Sequence, residues 1–243
     1  MKSTPLSDHI SGQLREEILR GRYRSGERLP SERDLAQRFD VHRGAVREAL
    51  KKLEQLGLAD IQAGGARVNP VEEASLDVVK HLLELSDPPD LRVVEQILEA
   101  FSGMMSLALR LCVERADESQ RERAFALLDQ LVESQISEST EFELFQELGD
   151  LVTQASGNTV LILVHRGLRT QFLAKLQQQE DLLSSGHADR IPIVEELKRA
   201  LETRDGPATT EAAYRLALSI QKSAARVLAA RAGSDVKKDG TAP

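Results

Sequence analysis

The sequence predicts a mainly α chain in two parts. An amino-terminal winged helix-turn-helix with a small β-hairpin wing is followed by an all-α antiparallel bundle of six to seven helices. Three observations carry that expectation. Leu29 to Leu58 reads LPSERDLAQRFDVHRGAVREALKKLEQLGL, two short amphipathic helices across a tight polar turn. A strand-like stretch, LADIQAGGARV, follows around Gly64-Gly65. Beyond about Asn69 only helical periodicity appears, interrupted by polar, Gly- and Pro-containing breaks.

In the head, Asp8 is the expected cap of a first helix whose apolar residues Ile10, Leu14 and Ile18 recur every fourth position, with Gly21 as its stop. Tyr23 to Pro30 is a turn-rich connector. Ser31 starts the second helix, Asp34 completes an approximate capping box, and Leu35, Ala36 and Phe39 supply the buried face. Asp40-Val41-His42 makes the turn, with Val41 toward the small core and His42 as a plain turn residue. The third helix runs from about Arg43 to Leu56, with Val46, Leu50 and Leu53 inside and Gly57 ending it.

At about 100° per residue, Arg43, Gly44, Arg47 and Lys51 form a stripe beside that inner face. Arginines on the first turns of such a helix are placed to reach the major groove, and Gly44 permits close approach to phosphate. Arg67, beside the wing tip, is placed for a minor groove or a phosphate.

The body begins with a helix over Leu76 to Leu85. Asp87-Pro88-Pro89-Asp90 breaks the chain, and Asp90 caps a long helix carrying Val94, Ile97, Phe101, Met104, Ala108 and Leu111. Further helices are expected at about Asp117–Ser137, Thr140–Ala155, Thr159–Gln179, Ile191–Thr203 and Thr210–Arg231, and a disordered tail from Gly233. The expected division is thus 1–70, 71–232 and 233–243.

Charge separates along the same line. Residues 1–70 hold thirteen Lys and Arg against ten Asp and Glu, while the remainder holds 19 against 29. A mildly basic head on an acidic body allows DNA contact confined to the head. Aromatic residues are only 3% and Trp is absent, so the core must be chiefly Leu, Ile, Val and Ala. A lone Cys112 excludes an internal disulfide framework. No apolar run approaches a membrane span and the first residues lack a secretion-signal core, so a cytoplasmic protein without membrane association is expected. No Ser/His/Asp set, paired-acid site or phosphate loop supports an enzyme.

Pro30-Ser31-Glu32-Arg33-Asp34-Leu35-Ala36, followed by V-x-R-x-x-V-R-E-A-L-x-x-L-E-x-x-G-L from Val41 to Leu58, resembles the GntR family of bacterial transcription regulators. The resemblance covers about the first 70 residues. It implies operator contacts by Arg33, Arg43 and Arg47, with the family's wing glycine at Gly64 or Gly65. The helical body, with Ala155-Ser156-Gly157-Asn158 after an amphipathic helix, resembles the FadR-type carboxy-terminal domain of the same family.

Most domains of that type carry a metal site, and its positions here fall on Phe145, Gly149, near Val194 and near Leu218 or Ser219, none of them a ligand. The resemblance therefore implies no metal, and no cofactor is expected. The vacated positions imply a more apolar cavity, with Phe101 and Phe172 nearby and Arg110, Arg166 or Arg169 available for an anionic end. Val94 to Leu98 and Arg110 look like FadR itself, which binds long-chain acyl-CoA, but its CoA-attending glycine, serine and tryptophan have no counterparts in Ala213–Ala225.

The expected function is a homodimeric regulator, usually a repressor, that binds double-stranded DNA at a short palindromic operator. A small hydrophobic or anionic effector, such as acyl-CoA or a carboxylate, is the expected modulator. The alternative is a filled, effector-free core controlled by a protein partner.

Overall fold

The computed structural model describes residues 6–170 and 186–238 of the chain. The chain divides into two compact units, Met1–Asp87 and Pro88–Pro243.

In the first unit, helix α1 (Leu6–Leu19), α2 (Glu32–Phe39) and α3 (Arg43–Gln55) precede an antiparallel hairpin of β1 (Ala59–Gln62) and β2 (Gly65–Val68). The apolar spacing read in the sequence is the core: Ile10, Leu14, Leu35, Val46, Leu50 and Leu53 are all buried. Ser31 caps α2, its hydroxyl oxygen accepting the Asp34 N–H at 3.2 Å. Asp40 takes the left-handed conformation after α2, at φ 53°.

Asp8 is not the cap of α1, which already runs from Leu6. It lies in the first turn and pairs with Lys52 of α3, whose ammonium also donates to Ser7 Oγ at 3.0 Å. A second polar tie joins α1 to α2. Arg38 donates twice to the buried carboxylate of Glu17, and this hydrogen bond holds the Glu17 carboxyl below the usual carboxylate range.

The connector before α2 pairs with β2 as a third edge. Leu29 N–H donates to Ala66 C=O at 2.9 Å, Val68 N–H to Glu27 C=O at 2.9 Å, and Gly26 N–H to Val68 C=O at 2.7 Å. Gly57 ends α3 at φ +72°, and a Cβ there would lie 2.9 Å from the backbone oxygen of Glu73. A short 3₁₀ turn (Val71–Glu73) then leads into α4 (Val78–Leu83).

That helix differs from the sequence reading, which gives residues 71–87 to the body. Val78 and Leu82 pack on the head's core, and the Arg20 guanidinium donates to Leu85 C=O at 2.7 Å. The boundary between the units therefore falls after Asp87 rather than near residue 70.

The second unit is helical throughout its described residues: α5 (Leu91–Arg115), α6 (Glu118–Leu131), α7 (Glu138–Ala155), α8 (Thr159–Leu168), α9 (His187–Glu202) and α10 (Gly206–Lys238). Caps set most starts. Asp90, Asp117, Ser137 and Asn158 each accept a backbone N–H from the first turn that follows. Helix α9 begins before the expected Ile191 and carries Pro192 inside it. Helix α10 runs on past Gly233 to Lys238, so an irregular tail does not begin where the glycine suggests.

Helix α5 packs on α7, α8 and α10; α6 packs on α7 and α9; and α9 packs on α10. Five helices thus close a ring, with α8 across α5 and α7. Helix α5 is long and apolar enough, by length and composition, to cross a membrane, contrary to the expectation of no such run. The helix nonetheless packs on α7, α8 and α10, with Val94, Ile97, Ala108, Leu109 and Cys112 buried along one face. Burial also pushes the Cys112 thiol up to about 11.

One buried ion pair crosses this core. Arg190 of α9 donates to both carboxylate oxygens of Glu141 on α7, and His187 meets the same carboxylate at 2.8 Å. Truncating Leu128, which is fully buried, should cost the bundle about 2–5 kcal/mol. Urea unfolding of Leu128→Ala should show the loss in the helical unit's transition, with the head's transition unmoved.

Candidate nucleic-acid interface and cavity of the helical unit

Burial of Val46, Leu50 and Leu53 leaves the opposite side of α3 to solvent, where Arg43, Gly44, Arg47 and Lys51 are all exposed. Arg33 sits one residue into α2 with 76% of its side chain exposed. The structure thus places Arg33, Arg43 and Arg47 on the opening turns of two adjacent helices. Positive side chains there suit phosphates and base edges together.

Arg47 is already engaged. Its Nε and Nη2 donate to the two carboxylate oxygens of Glu32 at 3.1 and 2.9 Å. This bidentate contact holds the Glu32 carboxyl below its ordinary range, with the charge of Arg43 adding to the effect. Lys51 pairs with Glu48 at 3.0 Å. Sequence reasoning missed Glu32, because its partner stands fifteen residues away on another helix.

The cap of α3 was missed as well. His42 is more than a turn residue, for its Nδ1 accepts the Ala45 N–H at 3.0 Å. Gly44 serves that cap: a Cβ at 44 would lie 3.2 Å from His42 Nδ1. Its role inside the head is therefore room for the imidazole.

At the wing, Ala63 and Gly64 form the turn and Gly65 opens β2 at φ +113°. A Cβ on Gly64 would meet the Arg28 guanidinium at 2.4 Å. Arg28, which the sequence reading did not single out, therefore lies against the wing tip. Arg67 is exposed, but its Nη1 donates to Gly26 C=O at 2.8 Å, fastening the wing to the connector.

In the helical unit a cavity of about 150 Å³ opens between α5, α7, α8, α9 and α10. Phe101, Phe145 and Gly149 line it, together with Met105, Gln146 and His165. Val194 is buried in the surrounding core and does not line it. The expected cationic partners stand elsewhere. Arg110 is half-exposed beside Glu114, Arg166 is exposed, and Arg169 pairs with Asp150. Phe172 lies outside the described residues.

His165, absent from the expected site, is buried against Phe101 with ring centroids 5.7 Å apart. A Cβ on Gly149 would lie 3.3 Å from its Nε2. Burial, aided by the charge of Arg166, holds the imidazole below its ordinary pKa and thus neutral at physiological pH. Among the described residues no three His, Cys, Asp or Glu side chains converge as metal ligands.

Residues 6–68 match the model of the family described as bacterial regulatory proteins, gntR family. The HTH-type transcriptional regulator Mce2R of Mycobacterium tuberculosis is 38% identical over 112 residues, which cover 44% of this chain and 46% of that protein. The HTH-type transcriptional repressor NanR of Cronobacter sakazakii is 30% identical over 173 residues, 70% of this chain and 65% of that protein. The chain thus spans less than two thirds of the length of these relatives. Among solved structures, Lar, which controls the expression of the Listeria monocytogenes agr system, has a TM-score of 0.55 at 14% identity, covering 93% of this chain and 99% of that one. At that identity the likeness is one of fold.

Two substitutions separate the roles at the interface. Arg47→Ala should abolish specific DNA binding in a mobility-shift titration while leaving helix content and oligomeric state unchanged. Glu32→Gln should act the other way on nonspecific duplex. Affinity should rise, and the slope of log K against log salt should steepen by about one, as Arg47 loses its internal counter-charge.

Proposed function

We propose that this chain, whose amino-terminal unit is a GntR-family helix-turn-helix domain, is a homodimeric transcription regulator that binds a short palindromic operator and acts chiefly as a repressor. The exposed arginines on the opening turns of α2 and α3 carry the reading. Arg33, Arg43 and Arg47 contact bases or phosphates, and a bidentate arginine–guanine pair supplies about 1–3 kcal/mol of discrimination. The wing, with Gly64, Gly65 and Arg67, follows the neighbouring backbone, and the Gly44 turn lies against phosphate.

One recognition helix reads only a few base pairs, so two-fold pairing is what makes a site unique. The apolar stripe of Val160, Leu163 and Val164 on α8, exposed to solvent, supports a second copy as its cover. The helical unit is read as FadR-type, and a small molecule in its cavity shifts the dimer by its differential affinity for two shapes. A cavity of about 150 Å³ supports this over the filled, partner-controlled core. Such a protein works in the bacterial cytoplasm beside the chromosome and is no enzyme.

Selection of duplexes from a random pool by the full chain tests the reading. The expected product is a two-fold symmetric site whose complex with the chain has the mass of two copies. A single unsymmetric half-site, or no enrichment, would sink it.

A further inference from the structure

We infer that the cavity of the helical unit takes a small uncharged apolar molecule, about one ring in size, whose single polar group bonds the Gln146 amide. The inference rests on reading this unit as the regulatory one, and it narrows the class of effector. Size is the first constraint. A cavity near 150 Å³ is of the order that encloses one benzene, whereas sites for larger ligands begin at about 300 Å³.

Charge is the second constraint. Among the described lining residues there is no Lys, Arg, Asp or Glu. Arg169 is committed to Asp150, and Arg110 and Arg166 lie at the surface. The buried imidazole of His165, held below its ordinary pKa, stands 3.5 Å from the Asp150 carboxylate and so presents no free counter-charge. A carboxylate entering here would shed its hydration without a cation to replace it. Lining by Phe101, Phe142 and Phe145 instead suits a flat ring in tilted or offset contact.

The third constraint is a missing hydrogen bond. Ser102 spends its hydroxyl on Glu99 C=O at 2.8 Å, and Thr153, just behind the wall, spends its own on Gly149 C=O at 2.6 Å. Gln146 Nε2 is buried and has no partner among the described residues. Buried polar groups in folded proteins are nearly always paired, so an unpaired amide on a cavity wall marks where a ligand's acceptor belongs.

Calorimetric titration of the full chain with acetophenone, ethylbenzene, benzoate and octanoyl-CoA tests this. Acetophenone should saturate one site, ethylbenzene should bind about three- to tenfold more weakly, and the two anions should be weaker than either. Gln146→Leu should erase the acetophenone preference while keeping ethylbenzene. Ala217→Leu, which fills the cavity, should abolish both with its circular dichroism unchanged; were it to unfold, the Gln146→Leu arm decides. Tighter binding of either anion, no saturable binding of the neutral probes, or a preference that survives Gln146→Leu would overturn the inference. Operator affinity measured alongside keeps the two readings apart. Acetophenone that binds without moving operator affinity sinks the regulatory role and leaves the site, whereas benzoate that both binds and moves it does the reverse.

Discussion

Val46, Leu50 and Leu53 are buried on one side of α3, and because a helix turns about 100° per residue, Arg47, Glu48 and Lys51 between them are turned to solvent. The exposed arginine stripe is a consequence of that burial rather than a separate feature. The ties around it serve the same end. Lys52 reaches Asp8, Arg38 reaches Glu17, and His42 closes the first turn of α3. With the helix held at its start and along its length, Arg43 and Arg47 are presented from a rigid support, which under the proposed function lowers the ordering cost of meeting DNA.

The helical unit is governed by a different balance. Small residues at Gly149, Ala213 and Ala217 stand among Phe101, Phe142 and Phe145, and the mismatch in volume leaves space that the ring of helices does not close. Across the same bundle the Glu141–Arg190 pair is buried and satisfied from several directions. A buried ion pair adds little net stability, but losing one partner is costly, so it fixes how α7 and α9 meet. The unit therefore combines a rigid polar crossing with an unfilled apolar centre.

Much of this was legible before any coordinates. Periodicity named the large apolar residues that α1, α2 and α3 turn to the core, and Ser31 and Asp90 announced their helices, because both signals are local in sequence. What escaped was long-range. Glu32, Arg28 and Glu17 gain their meaning from partners on other elements. Arg110 and Arg166 carry the right charge for an anion, yet helix rotation points them away from the cavity. Residues 78–83 have a helical pattern, but a pattern does not say which of two cores it will join. Asp8 looked like a cap because the helix continues one turn further back than its apolar spacing requires.

The close approach at Gly57 ties the far end of α3 to the segment that leads into α4. Ser75 N–H donates to Leu56 C=O at 2.9 Å, and the Asn69 amide donates to Gly57 C=O at 3.1 Å. The approach to α4 is thus stitched to the carboxy-terminal turn of α3 and is no slack tether. The last helix of the head is thereby fastened to one end of a rod whose other end carries the arginines.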